Sequence, residues 1–212
     1  MKHLAYALAC AAIAACLAAC AARPAAEPVD AAMSLAVAPL TQPLITEDLL
    51  AGFIPPGSEE ARPEQLAALD GFLDTELGRE GRVFTHADRA WPCMEQASAA
   101  AADNPGSALD YWVQVGRCVD ADYLLVPQVI YWKERVGSEV GVSEPAGVVV
   151  DIYVVNVRDY GLVTRSHFDE TQVSLSENLL TLPSFLSRHG QWVTAEELAQ
   201  EGIAQGLRQI GL

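Results

Sequence analysis

The apolar positions along the chain change period several times, and each change marks an element. Residues 4–17 form an unbroken apolar run of Leu, Ala, Ile and Cys with one Tyr and no charge. The stretch 21–32 is rich in Ala and Pro with little to bury, and reads as a spacer. Residues 33–40 (MSLAVAPL) make a short apolar strand closed by Pro39, while Pro43, Pro55, Pro56 and Gly57 mark most of 41–62 as loop. Pro63 then opens a helix in which Leu66, Leu69, Leu73 and Leu77 recur at spacings of 3 and 4, ended by Gly78. Residues 82–85 read as a short strand.

Two helices follow, about 92–102 and from Ser107, separated by the turn signal Asp103-Asn104-Pro105-Gly106. Ser107 and Asp110 have capping-box spacing, and Leu109, Trp112, Val113 and Gly116 form a stripe behind them. The segment 123–132 (YLLVPQVIYW) is a buried-looking strand, and Pro127 inside it predicts a bulge or an edge. The segment 148–157 (VVVDIYVVNV) is apolar on both faces apart from Asp151 and Asn156, which puts it in the centre of a sheet covered on both sides. Residues 162–173 instead alternate, as expected nearer a sheet edge. Thr194 and Glu197 cap a last helix that buries Ala199, Ile203, Leu207 and Ile210. The order β-α-β-α-α-β-β-β-α predicts one α/β domain over 33–212, a mixed sheet of about five strands packed by three to four helices.

That order, the short first strand reading VAP, the stretch Ala-Asp-Tyr-Leu-Leu-Val and the long hairpin after it resemble the periplasmic domains of the TolB amino-terminal and CsgG type, a layout also seen in the LpoB-type lipoproteins. The resemblance is one of layout and carries no diagnostic motif. The extra helix before Ser107 and the long segment before Trp192 depart from it. Segments such as FDETQVSLSENLL and WVTAEELAQEGI also resemble those of uncharacterised bacterial lipoproteins, which implies no assigned activity.

The amino-terminal run has its own signature. Met1-Lys2-His3 is a short basic start, and a helix of fourteen residues rises only about 21 Å, too little for a hydrocarbon layer of roughly 30 Å but sufficient for a signal-peptide core. Leu17-Ala18-Ala19-Cys20 follows it and resembles a bacterial lipobox, in which Cys20 becomes the lipidated first residue after removal of 1–19. Ile13-Ala14-Ala15-Cys16 is a weaker match, and an ordinary signal peptide is the alternative. Ala21, rather than Asp, after the cysteine implies the outer membrane, with the membrane as first partner through the anchor. Residues 20–32 are then the lipidated cysteine and spacer.

Charge and cysteines narrow the function. With 13 Lys+Arg against 28 Asp+Glu the net charge is −15, which argues against nucleic acid as a partner. After processing, Cys93 and Cys118 are the two remaining thiols. Climbing from Cys93 to Ala102 is about 14 Å and descending from Ser107 to Cys118 about 16 Å, so both sulfurs end on one side of an antiparallel helix pair. The expectation is a structural disulfide, with two buried thiols as the alternative.

The motifs of catalysis are missing: there is no GxSxG, HExxH, GxxxxGK[ST] or GxGxxG. His86, His167 and His189 stand far apart in sequence, each without a second ligand at helical or strand spacing, so no metal, cofactor or catalytic residue is assigned. Asp151 alone stands out, set in the most apolar strand, where it either faces water at a strand edge or pairs with a nearby Arg. Two stretches look more like contact surfaces. The loop 133–147 is long for a hairpin and holds Lys133 and Arg135, with a loose hairpin tip as the plainer reading. The apolar connection 175–192 holds Phe185 and Trp192, and is expected to fold under the last helix as core or, alternatively, to dock a partner or the membrane surface with Arg188 and His189 at its rim. The leading expectation is a non-enzymatic envelope lipoprotein that binds an envelope protein or copies of itself. The alternative is a small-ligand or metal-binding module, or a hydrolase with a dispersed site.

Overall fold

The computed structural model of the protein describes Val29 and residues 32–79, 81–173, 188 and 190–212. The strands are β1 (Leu35–Val37), β2 (Tyr123–Lys133), β3 (Val136–Ser138), β4 (Gly141–Glu144), β5 (Gly147–Asn156) and β6 (Gly161–Thr171). Four of them form the main sheet in the order β1-β2-β5-β6, and β3 pairs with β4 in a separate two-stranded ribbon. β1 runs parallel to β2, whereas β2, β5 and β6 are antiparallel. The mixed α/β sheet expected from the sequence is the one the chain forms.

Two local features differ from the expectation. The segment 82–85 contributes only Thr85, which forms a single parallel bridge to Ala36, with Val37 N donating to Thr85 O at 2.9 Å and Thr85 N to Leu35 O at 2.8 Å. The reason is length: a turn at Gly81 and a 3₁₀ turn over Ala87–Arg89 leave too few residues for a ladder. Pro127 stands in a central strand without a bulge of its own. Its carbonyl accepts from Thr41 N on the β1 side, beyond the end of β1 at Val37, so its missing N–H removes no ladder bond, and the register shift falls later, between Val129 and Tyr131.

The helices are α1 (Pro63–Arg79), α2 (Trp91–Asp103), α3 (Ala108–Cys118) and α4 (Ala195–Ile210). Both capping boxes read from the sequence form, Ser107 with Asp110 and Thr194 with Glu197. One sheet face packs Leu125, Val150, Ile152 and Val154 under α1 and α4, through Leu69, Leu73, Leu77, Leu198, Ile203 and Leu207. On the other, Leu124, Val126, Tyr153 and Val155 lie under Met94, Ala97, Trp112 and Val113 of the α2–α3 pair. Farther along that face Leu49 packs on Ile130 and Val149. Gly116 lets α3 approach closely, since a Cβ there would stand 2.4 Å from Val157 Cγ2.

Cys93 in the first turn of α2 and Cys118 at the end of α3 are bonded, with Cα atoms 5.7 Å apart and 25 residues between them in sequence. Removing the bond with the double variant Cys93→Ala, Cys118→Ala should lower the unfolding free energy by about 3.5 kcal/mol in the chain-entropy treatment. Urea unfolding reads this directly, and an unchanged midpoint would show that the helix pair holds without the bond.

Asp70 of α1 accepts from Leu40 N at 2.7 Å and so ties the helix to the end of the first strand. Burial raises its pKa to about 6, against the lowering by the Leu40 N–H. The folded state thus holds this proton more tightly than the unfolded chain, which releases it near pH 4. The contribution of this group to stability falls as pH rises from about 4 to about 6 and is flat above. Asp70→Asn keeps an acceptor for Leu40 and should raise the urea midpoint at about pH 7.5 while leaving it nearly unchanged at about pH 4.

Candidate functional site

The long connection between β2 and β5 is a built arm. Beyond Lys133 the chain leaves the main sheet, and β3 and β4 pair with Val136 opposite Glu144, Gly137 opposite Val142 and Ser138 opposite Gly141. Gly137 sits at φ 132°, and a Cβ there would lie 2.5 Å from Gly141 O, so the close crossing requires glycine. The Lys133 ammonium pairs with Glu144 at 2.7 Å across the root, which raises the lysine pKa and lowers that of the carboxylate. Val136 and Val140 stand in solvent, 53% and 91% exposed.

The arm and the segment before α4, two stretches far apart in sequence, meet. The Arg135 guanidinium donates to Trp192 O, and Trp192 N donates to Glu139 O in the arm's turn at 2.9 Å. Gln172, the residue after β6, holds the same segment, accepting from Val193 N at 2.9 Å. Glu134 accepts from Ala195 N at 3.0 Å at the start of α4 and from the Gln65 amide of α1 at 3.4 Å. Arg188 is buried between β6 and α4, paired with Glu170 and Glu201 at 2.6 Å each; burial works against its charge, but the two carboxylates outweigh this and raise its pKa. Lys133, Arg135 and Trp192 are therefore neighbours on one structure, and both cations are engaged within the chain. Cys20, Phe185 and His189 lie outside the described residues.

Asp151 is the other feature that the sequence singled out, and it is 1% exposed. Its Oδ2 accepts from Arg165 Nη2 and from the Tyr153 hydroxyl, each at 2.7 Å, while Oδ1 is 2.6 Å from His167 Nδ1. Arg165 also lies over the Tyr153 ring, 5.6 Å from its centroid. Burial and then the bond to Asp151 raise the Tyr153 pKa well above the usual phenol value, so the hydroxyl stays a donor. Register brings this group together, since His167 is opposite Asp151 and Arg165 opposite Tyr153. The one signal for it in the sequence is spacing, since both pairs are two apart on strands joined by a short turn, but only the register sets them opposite each other.

Chemically the Asp151 carboxylate orients the His167 imidazole, as a general base would need, yet the adjoining Ser166 bonds Gln209 at 2.8 Å on the opposite face. No hydroxyl or thiol is bonded to His167 among the described residues. Nor is there, among them, a group of three or more His, Cys, Asp or Glu able to hold a metal ion, or a helix long and apolar enough to cross a membrane.

No protein-family model matches the chain, and no curated protein matches it. Several solved structures are similar in fold. The PelC dodecamer of Paraburkholderia phytofirmans has a TM-score of 0.47 at 14% identity, over 88% of this chain and 93% of that one. The LpoB C-terminal domain of Salmonella enterica has a TM-score of 0.40 at 13% identity, over 69% and 88%. Lipoprotein GNA1162 of Neisseria meningitidis has 0.37 at 13% identity, over 74% and 96%.

Removing a cation from a buried carboxylate leaves the charge uncompensated. Arg165→Met should destabilise the fold by roughly 2–4 kcal/mol, less than the roughly 3–5 kcal/mol of a fully buried pair because Arg165 is 35% exposed and Tyr153 and His167 still face Asp151. Adding Asp151→Asn should recover part of that loss, giving a coupling energy on the order of 1–2 kcal/mol in a double-mutant cycle. Strict additivity would show that the two side chains do not sense each other.

Proposed function

We propose that this chain is a membrane-anchored envelope lipoprotein and that its domain is a non-enzymatic protein-binding or assembly module, with the β3–β4 arm as its contact element. The anchor is Cys20, lipidated after removal of residues 1–19, with the domain in the periplasm at the outer membrane. Residues 20–32 are the spacer, of which Val29 already packs in the core, its carbonyl accepting from Arg82 at 2.9 Å. One observation carries the reading: the arm and the chain's entry lie at opposite ends of the sheet. Leu35 enters beside Tyr123, and the arm leaves at Lys133, ten residues farther along β2, roughly 33 Å away. A domain tethered through its amino terminus would thus present the arm on the side away from the lipid. Stapling at Lys133, Arg135 and Trp192 favours a preset shape, and exposed Val136 and Val140 supply apolar contact area.

A photo-crosslinking residue at position 140 of the anchored chain, in native envelopes, should give a discrete adduct with another envelope protein or a second copy. The same residue at Val83, equally exposed but on another part of the surface, should not. Identical patterns from the two sites, or none, would remove the arm from the reading. Cys20→Ser should release the domain from the membrane fraction; retention there would sink the anchor.

A further inference from the structure

The segment 41–48 and the α2–α3 pair enclose a cleft of about 470 Å³, within the roughly 300–1,000 Å³ of small-molecule sites. Its apolar wall includes Met94, Ile45 and the Tyr111–Trp112 pair, whose rings meet edge to face at 5.0 Å. At one side Gln128, 1% exposed, is held with its amide donating to Asp48 O at 3.1 Å. Thr41 also lines the cleft, and its Oγ1, buried behind the wall, is the buried side-chain oxygen that has no hydrogen-bond partner among the described residues. A polar atom kept dry and unanswered beside a cavity is costly unless something there meets it.

Charge decides the class of occupant. Among the described residues Glu47 and Asp48 are the charged ones on the lining, and Lys, Arg and His are absent from the wall. The amino terminus of α3 borders the cleft and would by itself attract an anion. It already has one: Asp110 accepts from Ser107 N at 2.6 Å and from Ser107 Oγ at 2.7 Å. Burial raises the Tyr111 pKa and the charge of Asp48 adds to it, in keeping with a carboxylate that faces the ring's polar edge. An ammonium in this position would meet two carboxylates and an aromatic face, in the field of a chain with net charge −15.

We propose that the cleft between 41–48 and the α2–α3 pair binds an organic cation, an ammonium group carried on a ring-sized apolar body. The ammonium lies toward Glu47 and Asp48, and the body lies on Tyr111 and Met94. This site is independent of the arm and of the anchor.

Saturation-transfer NMR and titration on the full chain in nanodiscs, with empty nanodiscs as blank, test it. The probes are phenethylamine, phenethyl alcohol and 3-phenylpropionate, three molecules of similar size and different charge. Phenethylamine should bind saturably and roughly tenfold tighter than the alcohol, with no binding of the acid. The double variant Glu47→Gln, Asp48→Asn should bring the amine to the level of the alcohol. Ser98→Trp, at an exposed lining position of α2, should abolish amine binding while leaving the melting temperature unchanged. Absence of saturable amine binding, equal binding of the acid, or amine binding that survives Ser98→Trp would each overturn the proposal.

Discussion

Nine consecutive residues of β5, Gly147 to Val155, are buried. A strand with no polar side must be covered on both faces, and the rest of the molecule follows from that requirement. One face receives a continuous layer, α1 and α4, joined through their leucine and isoleucine stripes. The other receives a shorter one. The pair α2–α3 covers the end near Val155, and the loop through Leu49 covers the end near Val149. Close approach is achieved with glycine on both sides: a Cβ at Gly202 would lie 2.6 Å from the Phe168 ring and one at Gly206 2.8 Å from Ile152 Cδ1, as at Gly116 on the opposite face. The thinner layer is also the one that carries the disulfide, where closing a loop of about 25 residues compensates for modest apolar area.

Between the two covers of the second face runs a row of polar residues at one register level: Thr41 bridged to Gln128, Gln128 opposite Asp151, and Asp151 opposite His167. A seam between two coverings is where water and polar groups reach a sheet most easily. Each member of the row therefore meets a different fate. His167 is half exposed, Asp151 is closed over by Tyr153 and Arg165, Gln128 is tied to the loop, and Thr41 lines the cleft. The ionic group is thus explained by position rather than by chemistry: β6 is the sheet's edge, and its Arg165 is long enough to reach inward while staying 35% exposed.

The elements with one dominant period were legible in the sequence. Leu69, Leu73 and Leu77 gave α1, the two capping boxes fixed the starts of α3 and α4, and the apolar run gave β5. Helix rise alone brought Cys93 and Cys118 to one end of their pair. What was not legible depended on register across strands or on chain that returns from afar. His167 looked isolated because its partner lies sixteen residues back on a neighbouring strand. The loop 133–147 lacked a strong strand pattern because the close crossing of its two strands depends on Gly137 rather than on apolar alternation. The junction of Arg135 with Trp192 spans 57 residues and is made through a backbone carbonyl, which no side-chain pattern encodes.

That junction also changes what the arm can do. A two-stranded ribbon alone is marginal in water, so its shape rests on its root. The root takes up the residues that looked in sequence like basic contact points, Lys133 on Glu144 and Arg135 on Trp192 O. Lys133 already has a carboxylate, which a partner's would only replace, and Arg135 is held on a backbone carbonyl that fixes where its guanidinium points. What stays available on the ribbon is Val136 near its root and, at its turn, Val140 beside the exposed Glu139. Binding through this element would be driven by area removed from water. Its salt dependence would be set by the exposed Glu139 and the net charge of −15, so that repulsion of an acidic partner is relieved as ionic strength rises, the opposite of binding through a basic patch.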